Sequence, residues 1–242
     1  MIIFEKEDMK EEQPICLIHI PKTGGKTLWK ILKKQPETYH VWHKKMFKNL
    51  DIPVSFFTML REPVDRVLST YYYIRSYEAD PLYDQLQNIT LKEFVDYIGN
   101  EQIENIRYKK RDLKSLRPRS VNLATRYLSG GDPNALKIAK KNIKKHFPIV
   151  GLTDMYPESL FLMKKKFNLQ LSSITIENKT DNRPSTEAIS PDLINKIKKT
   201  NHNDILLYEW AKKRFLNEME SLSKLERQEL QNWIAKTKTL SE

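Results

Sequence analysis

Short apolar runs alternate with longer amphipathic ones along the chain. The run ICLIHI (15–20) lacks polar alternation and predicts a strand buried on both faces. It passes straight into a Pro-Lys-Thr-Gly-Gly turn and then a helix beginning near Thr27. VSFFTML (54–60) repeats the pattern: Arg61-Glu62-Pro63 ends the strand, and Pro63 suits the first turn of a helix carrying VDRVLSTYYYIR. Further helices are predicted over 90–99, 120–129 and 133–146. FPIVGL (147–152) predicts a third strand, followed by a helix through PESLFLMKKKF, and SITIEN (173–178) a fourth. From 190 onward the pattern is helical, including the amphipathic NDILLYEWAKKRF and a charged last helix. Buried strands alternating with helices imply an α/β fold with a parallel sheet covered on both faces. The expected organisation is one domain over 1–242, with a core over about 15–215 and a helical extension over about 216–242.

Charge narrows the ligand class. A formal net charge of +11 and a pI near 9.5 point to an anionic partner: nucleic acid, a membrane surface, a phosphate-bearing cofactor or an acidic polysaccharide. The single cysteine, Cys16, excludes an intramolecular disulfide and a cysteine metal cluster, and its apolar neighbours predict burial. The opening MIIFEKEDMKEE has no signal-peptide h-region, and the longest apolar runs are too short to span a bilayer. The expectation is a soluble cytoplasmic protein without a transmembrane segment.

Two loops carry candidate chemistry. HIPKTGGKTLWK (19–30) contains Gly25-Lys26-Thr27, which is how a Walker A loop ends. That loop also needs a glycine five positions before Gly25, where Ile20 stands, and a strand ending in aspartate to organise Mg²⁺, where the second strand meets Arg61. What the loop does offer is backbone N–H groups from Thr23 to Thr27, two threonine hydroxyls, a helix N-terminus and Lys22. The second loop offers Arg61 with Ser69 eight residues on; a guanidinium grips a phosphate bidentately and a hydroxyl adds a donor. In parallel sheets ligands bind at the carboxyl ends of the strands, so both loops share one edge and predict a ligand anionic at both ends.

Plainer roles are expected elsewhere. His19 reads as a hydrogen-bonded core residue, Arg66 as structural, and the lysines from Lys137 to Lys145 as a solvated face. YYYIR (71–75) reads as helix packing, with one tyrosine bordering the site. IRYKKRDLKSLRPR (106–119) holds seven basic residues against one aspartate, as either a solvated loop or a rim for an anionic acceptor. A kinase or ATPase using Gly25-Lys26-Thr27, and a basic nucleic-acid-binding protein, are the alternatives; no helix-turn-helix, zinc-finger or RNP signature supports the second.

HIPKTGGKTL resembles the 5′-phosphosulfate loop of sulfotransferases that use 3′-phosphoadenosine 5′-phosphosulfate, and FTMLREPVDRVLSTYYY resembles their 3′-phosphate motif. NLATRYLSG, VGLTDMYPESLFLMKKKF, NKTDNRPS and NDILLYEWA are similar to the branch of heparan sulfate 2-O-sulfotransferase and its bacterial relatives. The resemblance implies a P-loop-like three-layer fold and metal-free sulfuryl transfer from that nucleotide donor to an acceptor hydroxyl. A carbohydrate is the first choice of acceptor, an anionic glycan among the candidates. By the same resemblance Lys22 neutralises the leaving group, while Thr23, Gly24, Gly25, Lys26 and Thr27 hold the 5′-phosphate. Arg61 and Ser69 hold the 3′-phosphate, and Arg183 belongs to a closing loop. Lys26 stands where the family usually has serine or threonine, and Glu62 where aspartate is commoner. A histidine between the two motifs serves as base in that family; here His40 and His43 lie in the interval, and spacing favours His40.

Overall fold

The computed structural model describes residues 1–4, 9, 11–100, 113–171 and 184–239. Five parallel strands form one sheet in the order β1 (Ile2–Phe4), β3 (Tyr39–Trp42), β2 (Ile15–Ile18), β4 (Ser55–Leu60), β5 (Ile149–Leu152). The register sets Cys16 against His40, Leu17 against Phe57 and Met59 against Gly151. Strands β2, β4 and β5 lie where the apolar runs predict them. β1 and β3 lie where no apolar run predicts a strand: β1 is three residues long, and β3 (YHVW) is wholly buried yet contains a histidine. The run 173–178 lies outside the described residues.

Side chains alternate across the sheet with period two. In β4, Phe56 meets Trp42, Phe47 and Phe147, whereas its neighbour Phe57 meets Phe167. Phe167 closes α8 (Tyr156–Phe167). That helix is joined to α1 (Gly25–Lys33) through Gln35, whose side chain donates to the Gln170 carbonyl (3.1 Å) and accepts the Gln170 N–H (2.7 Å). Helices thus flank a central parallel sheet, the three-layer architecture expected.

A second apolar cluster unites α2 (Pro63–Ser76), α3 (Tyr83–Gln87), α4 (Leu91–Asn100), α5 (Leu116–Ser120) and α9 (Pro191–Thr200), with Leu68, Leu86, Phe94, Leu116 and Ile197 at its centre. The single helix predicted over 120–129 is in fact α5 followed by α6 (Leu123–Ser129), broken where Asn122 turns left-handed at φ 44°. The break is stabilised by long-range polar contacts. The Asp204 carboxylate accepts the N–H groups of Ala124 (3.0 Å) and Thr125 (2.8 Å), and Asn122 Oδ1 accepts the Asp204 N–H at 3.1 Å. Arg66, 1% exposed, lies 3.5 Å from Asp204 and donates to the Ser120 carbonyl at 2.6 Å. Its role is structural, as expected. The chain continues through α7 (Leu136–His146), α10 (His202–Glu220) and α11 (Lys224–Thr239). Among the described residues no helix is long and apolar enough to cross a membrane.

Topology fixes the position of the site. From β2 the chain crosses through α1 to β3 on one side, then returns to the other side of β2 as β4. The loops after β2 and β4 therefore leave the sheet side by side at a switch point, where α/β sheets open a crevice.

Candidate active site

The loop after β2 is shaped by its backbone. Lys22 (φ 69°) and Gly24 (φ 78°) are both left-handed, and Gly24 begins α1 without any side-chain cap. No side chain caps this helix start, which lies at the positive end of the helix dipole, a setting that suits an anion. Two aromatic rings confine the glycines. A Cβ on Gly24 would lie 2.6 Å from Tyr156 Cε2, and one on Gly25 would lie 1.9 Å from His19 Nε2.

The threonine hydroxyls turn inward. Thr23 Oγ1 donates to the Ile20 carbonyl at 2.8 Å, and Thr27 hydrogen-bonds the Tyr156 side chain. Tyr156 in turn donates to the Gly24 carbonyl at 2.9 Å, and burial pushes its phenol pKa up, so it stays a protonated donor. Lys26 is exposed. Lys22 Nζ sits 3.7 Å above the centre of the Tyr73 ring, a cation–π contact that holds the ammonium at the crevice.

The loop after β4 is shaped by side chains. Glu62 caps α2 by accepting the Asp65 N–H at 2.7 Å, with Pro63 in the first turn. Arg61 Nε pairs with Asp65, while its Nη1 donates to Ser69 Oγ (3.1 Å) and to the Lys22 carbonyl (3.2 Å). The structure thus brings together Lys22, Arg61 and Ser69, the last only 1% exposed. Tyr73 is the tyrosine of the YYYIR stripe that borders this edge; Tyr71 instead donates to the Ile89 carbonyl at 2.7 Å.

The two candidate histidines part company. His40 lies inside β3, 1% exposed, with Nε2 2.9 Å from Glu11 Oε2 and with Nδ1 buried and unbonded. Strand pairing places it between Cys16 and Ile3, so it is not brought to the crevice, and the preference for His40 over His43 is corrected. His43 stands one residue past the end of β3. Its Nδ1 lies 2.5 Å from Nδ1 of His19, and Trp29 packs edge-on against both rings, with centroids 4.9 and 5.1 Å away. Burial, then His43 and Lys22, lower the pKa of His19 from 6.5 to about 3.

The remaining candidates fall elsewhere. Arg183 and residues 106–112 lie outside the described residues. Within the rest of the basic segment, Arg117 donates to the carbonyls of Ile98 (3.0 Å) and Gly99 (3.2 Å), and Arg119 grips Asp80 through both terminal nitrogens. Those two cations hold the helices together. The lysines at 137, 141, 144 and 145 are exposed along α7, the solvated face expected. Among the described residues no group of three or more His, Cys, Asp or Glu side chains could hold a metal ion.

An edge of this kind suits a ligand anionic at both ends, on a sheet of the three-layer type built around phosphate-binding loops. The chain belongs to the sulfotransferase family, whose family model matches residues 7–211. It is 30% identical over 199 residues to heparan-sulfate 6-O-sulfotransferase 3-B of Danio rerio, covering 72% of this chain and 45% of that protein. Against the human heparan-sulfate 6-O-sulfotransferases, identity is 29% for form 3 and 28% for form 2, each over 72% of this chain and over 40% and 31% of the relatives. The chain therefore spans less than half the length of these relatives. They carry the 6-O name, a branch neighbouring the 2-O one that the motifs resemble.

Proposed function

We propose that the protein transfers a sulfuryl group from 3′-phosphoadenosine 5′-phosphosulfate to a hydroxyl of a carbohydrate, with acidic glycans as the acceptor class. The observation that carries this reading is the placement of Arg61, which touches Ser69 and the Lys22 carbonyl and so joins two anion stations in one crevice. Family membership supplies the donor class, and the names of the relatives together with the charge of +11 support an acidic glycan.

The cradle fits the donor. At Gly24 and Gly25 any side chain would enter the Tyr156 or His19 ring, so the backbone alone faces the crevice and its N–H groups are the natural partners of the 5′-phosphate. Arg61 and Ser69 would take the 3′-phosphate. Bound there, the donor supplies a sulfuryl group on a phosphate leaving group. As the acceptor oxygen bonds to sulfur, the bond from sulfur to the bridging oxygen breaks and its electron pair stays on that oxygen. Lys22 neutralises the charge that develops. The acceptor proton passes to His43, which later releases it to solvent.

The test is transfer of labelled sulfate from the donor to a panel of acceptors: heparan sulfate, its desulfated form, a neutral glycan, a lipid alcohol and a tyrosine peptide. Label is expected on the acidic glycans, at the same rate with excess chelator. Label on the lipid or peptide alone would overturn the acceptor assignment. Loss of transfer on chelation, restored by Mg²⁺, would favour the kinase-type reading of Gly25-Lys26-Thr27.

A further inference from the structure

The contact between His19 and His43 is in-plane. The ring planes differ by 17° and their centroids are 4.7 Å apart, while the two Nδ1 atoms are 2.5 Å apart. Rings stacked face to face cannot bring two nitrogens that close; rings meeting edge to edge can, and a hydrogen bond then joins the nitrogens. Only one hydrogen fits between them, so one Nδ1 donates and the other accepts. Trp29 lies edge-on to both rings and fixes their common plane.

We propose that His19 positions the base: its Nδ1 accepts the Nδ1–H of His43, which orients the His43 ring and leaves Nε2 of His43 as the nitrogen that takes the acceptor proton. This rests on the reading of His43 as base. The opposite arrangement fails during the reaction. If His19 donated, neutral His43 would carry its hydrogen on Nε2 and have no lone pair for the acceptor. Once His43 has gained a proton both its nitrogens bear hydrogen, and only a His19 that accepts remains compatible with the contact. Burial of His19 among Gly25, Trp29 and the β2 end keeps it neutral, with Lys22 and His43 the charged or titratable groups acting on it. The proton therefore stays on the partly exposed partner. A neutral imidazole here performs the orienting task that a carboxylate performs for other catalytic histidines.

Two substitutions separate positioning from packing. His19→Leu keeps bulk but has no acceptor, whereas the amide oxygen introduced by His19→Asn can stand where Nδ1 stood. The leucine variant is expected to lose about 10- to 100-fold in kcat, the range seen when a metal-bound histidine loses its outer hydrogen-bond partner, while the donor KM stays near wild type and the asparagine variant recovers most of the rate. Calorimetric binding of adenosine 3′,5′-bisphosphate reports that each variant is folded. Independently of turnover, ¹⁵N NMR of His43 is expected to show the Nδ1–H tautomer in the wild-type protein and to lose that preference in His19→Leu. Equal kcat in the leucine and asparagine variants, or an Nε2–H tautomer at wild-type His43, overturns the proposal. The base reading fails separately, if His43→Ala keeps normal kcat; the positioning role then falls with it, whatever the tautomer.

Discussion

Two loops leave the same edge of the sheet and present their polar groups in opposite ways. After β2 the donors belong to the main chain: two left-handed residues turn it, two rings leave no room for a side chain, and both threonine hydroxyls point inward as braces. After β4 the donors are side chains, with Arg61 held by Asp65 and aimed at Ser69. The difference explains a departure from the family pattern. On the proposed reading, Lys26 can replace a hydroxyl residue without loss to the first loop, because that position is exposed and N–H groups are the ones that would face the phosphate. No such latitude exists at Arg61, where one side chain carries the geometry of both loops.

The sharpest way to break the comparison is therefore at Arg61. Arg61→Ala is expected to weaken adenosine 3′,5′-bisphosphate binding by about 2–5 kcal/mol, the cost of truncating one partner of a buried charge contact, and to leave AMP binding nearly unchanged. Calorimetry with both nucleotides decides this, and equal losses would remove the 3′-phosphate assignment. Next comes the backbone loop. Gly25→Ala forces a Cβ into the His19 ring, and overpacking of that kind costs about 1–3 kcal/mol of stability, read from the shift in denaturant midpoint.

A smaller effect sharpens the part played by His19. The unfolded chain binds a proton at His19 below its ordinary pKa of 6.5, whereas the folded chain resists until about 3. The unfolded state thus holds more protons in that window, so stability is full above the unfolded value and falls as pH drops, by up to ~1.4 kcal/mol per pH unit. Denaturant unfolding across about pH 5 to 7, above the carboxylate range, measures the slope, and His19→Asn is expected to flatten it. An unchanged slope in that variant would place the proton uptake elsewhere. The smallest effect is at Ser69: Ser69→Ala removes one neutral hydroxyl from the Arg61 station and is expected to cost about 0.5–1.5 kcal/mol of bisphosphate binding.

The second and fourth strands are legible in the sequence because ICLI is wholly apolar and SFFTML is apolar but for Ser55 and Thr58, and both loops are legible because each follows such a run directly. β3 was hidden by its own composition. Without its end at Trp42 there was no means of judging that His43 clears the sheet and His40 does not. Tyr156 was invisible for a different reason: its partner Gly24 is 132 residues away, and no local pattern reports a contact of that range. The break at Asn122 was equally nonlocal, since Asn201 and Asp204 supply the bonds that end one helix and start the next.

That last arrangement couples two distant stretches of chain. Asp204 caps the start of α6 while Asn122 caps the start of α10, each helix completing the other's first turn. Neither end can fray alone, because opening one strips the cap from both and leaves the buried Asp204 carboxylate with Arg66 but without its N–H donors. The amide protons of Ala124, Thr125 and Asp204 therefore exchange with deuterium through one shared opening, as members of a single cooperative unit stitched across some eighty residues of sequence.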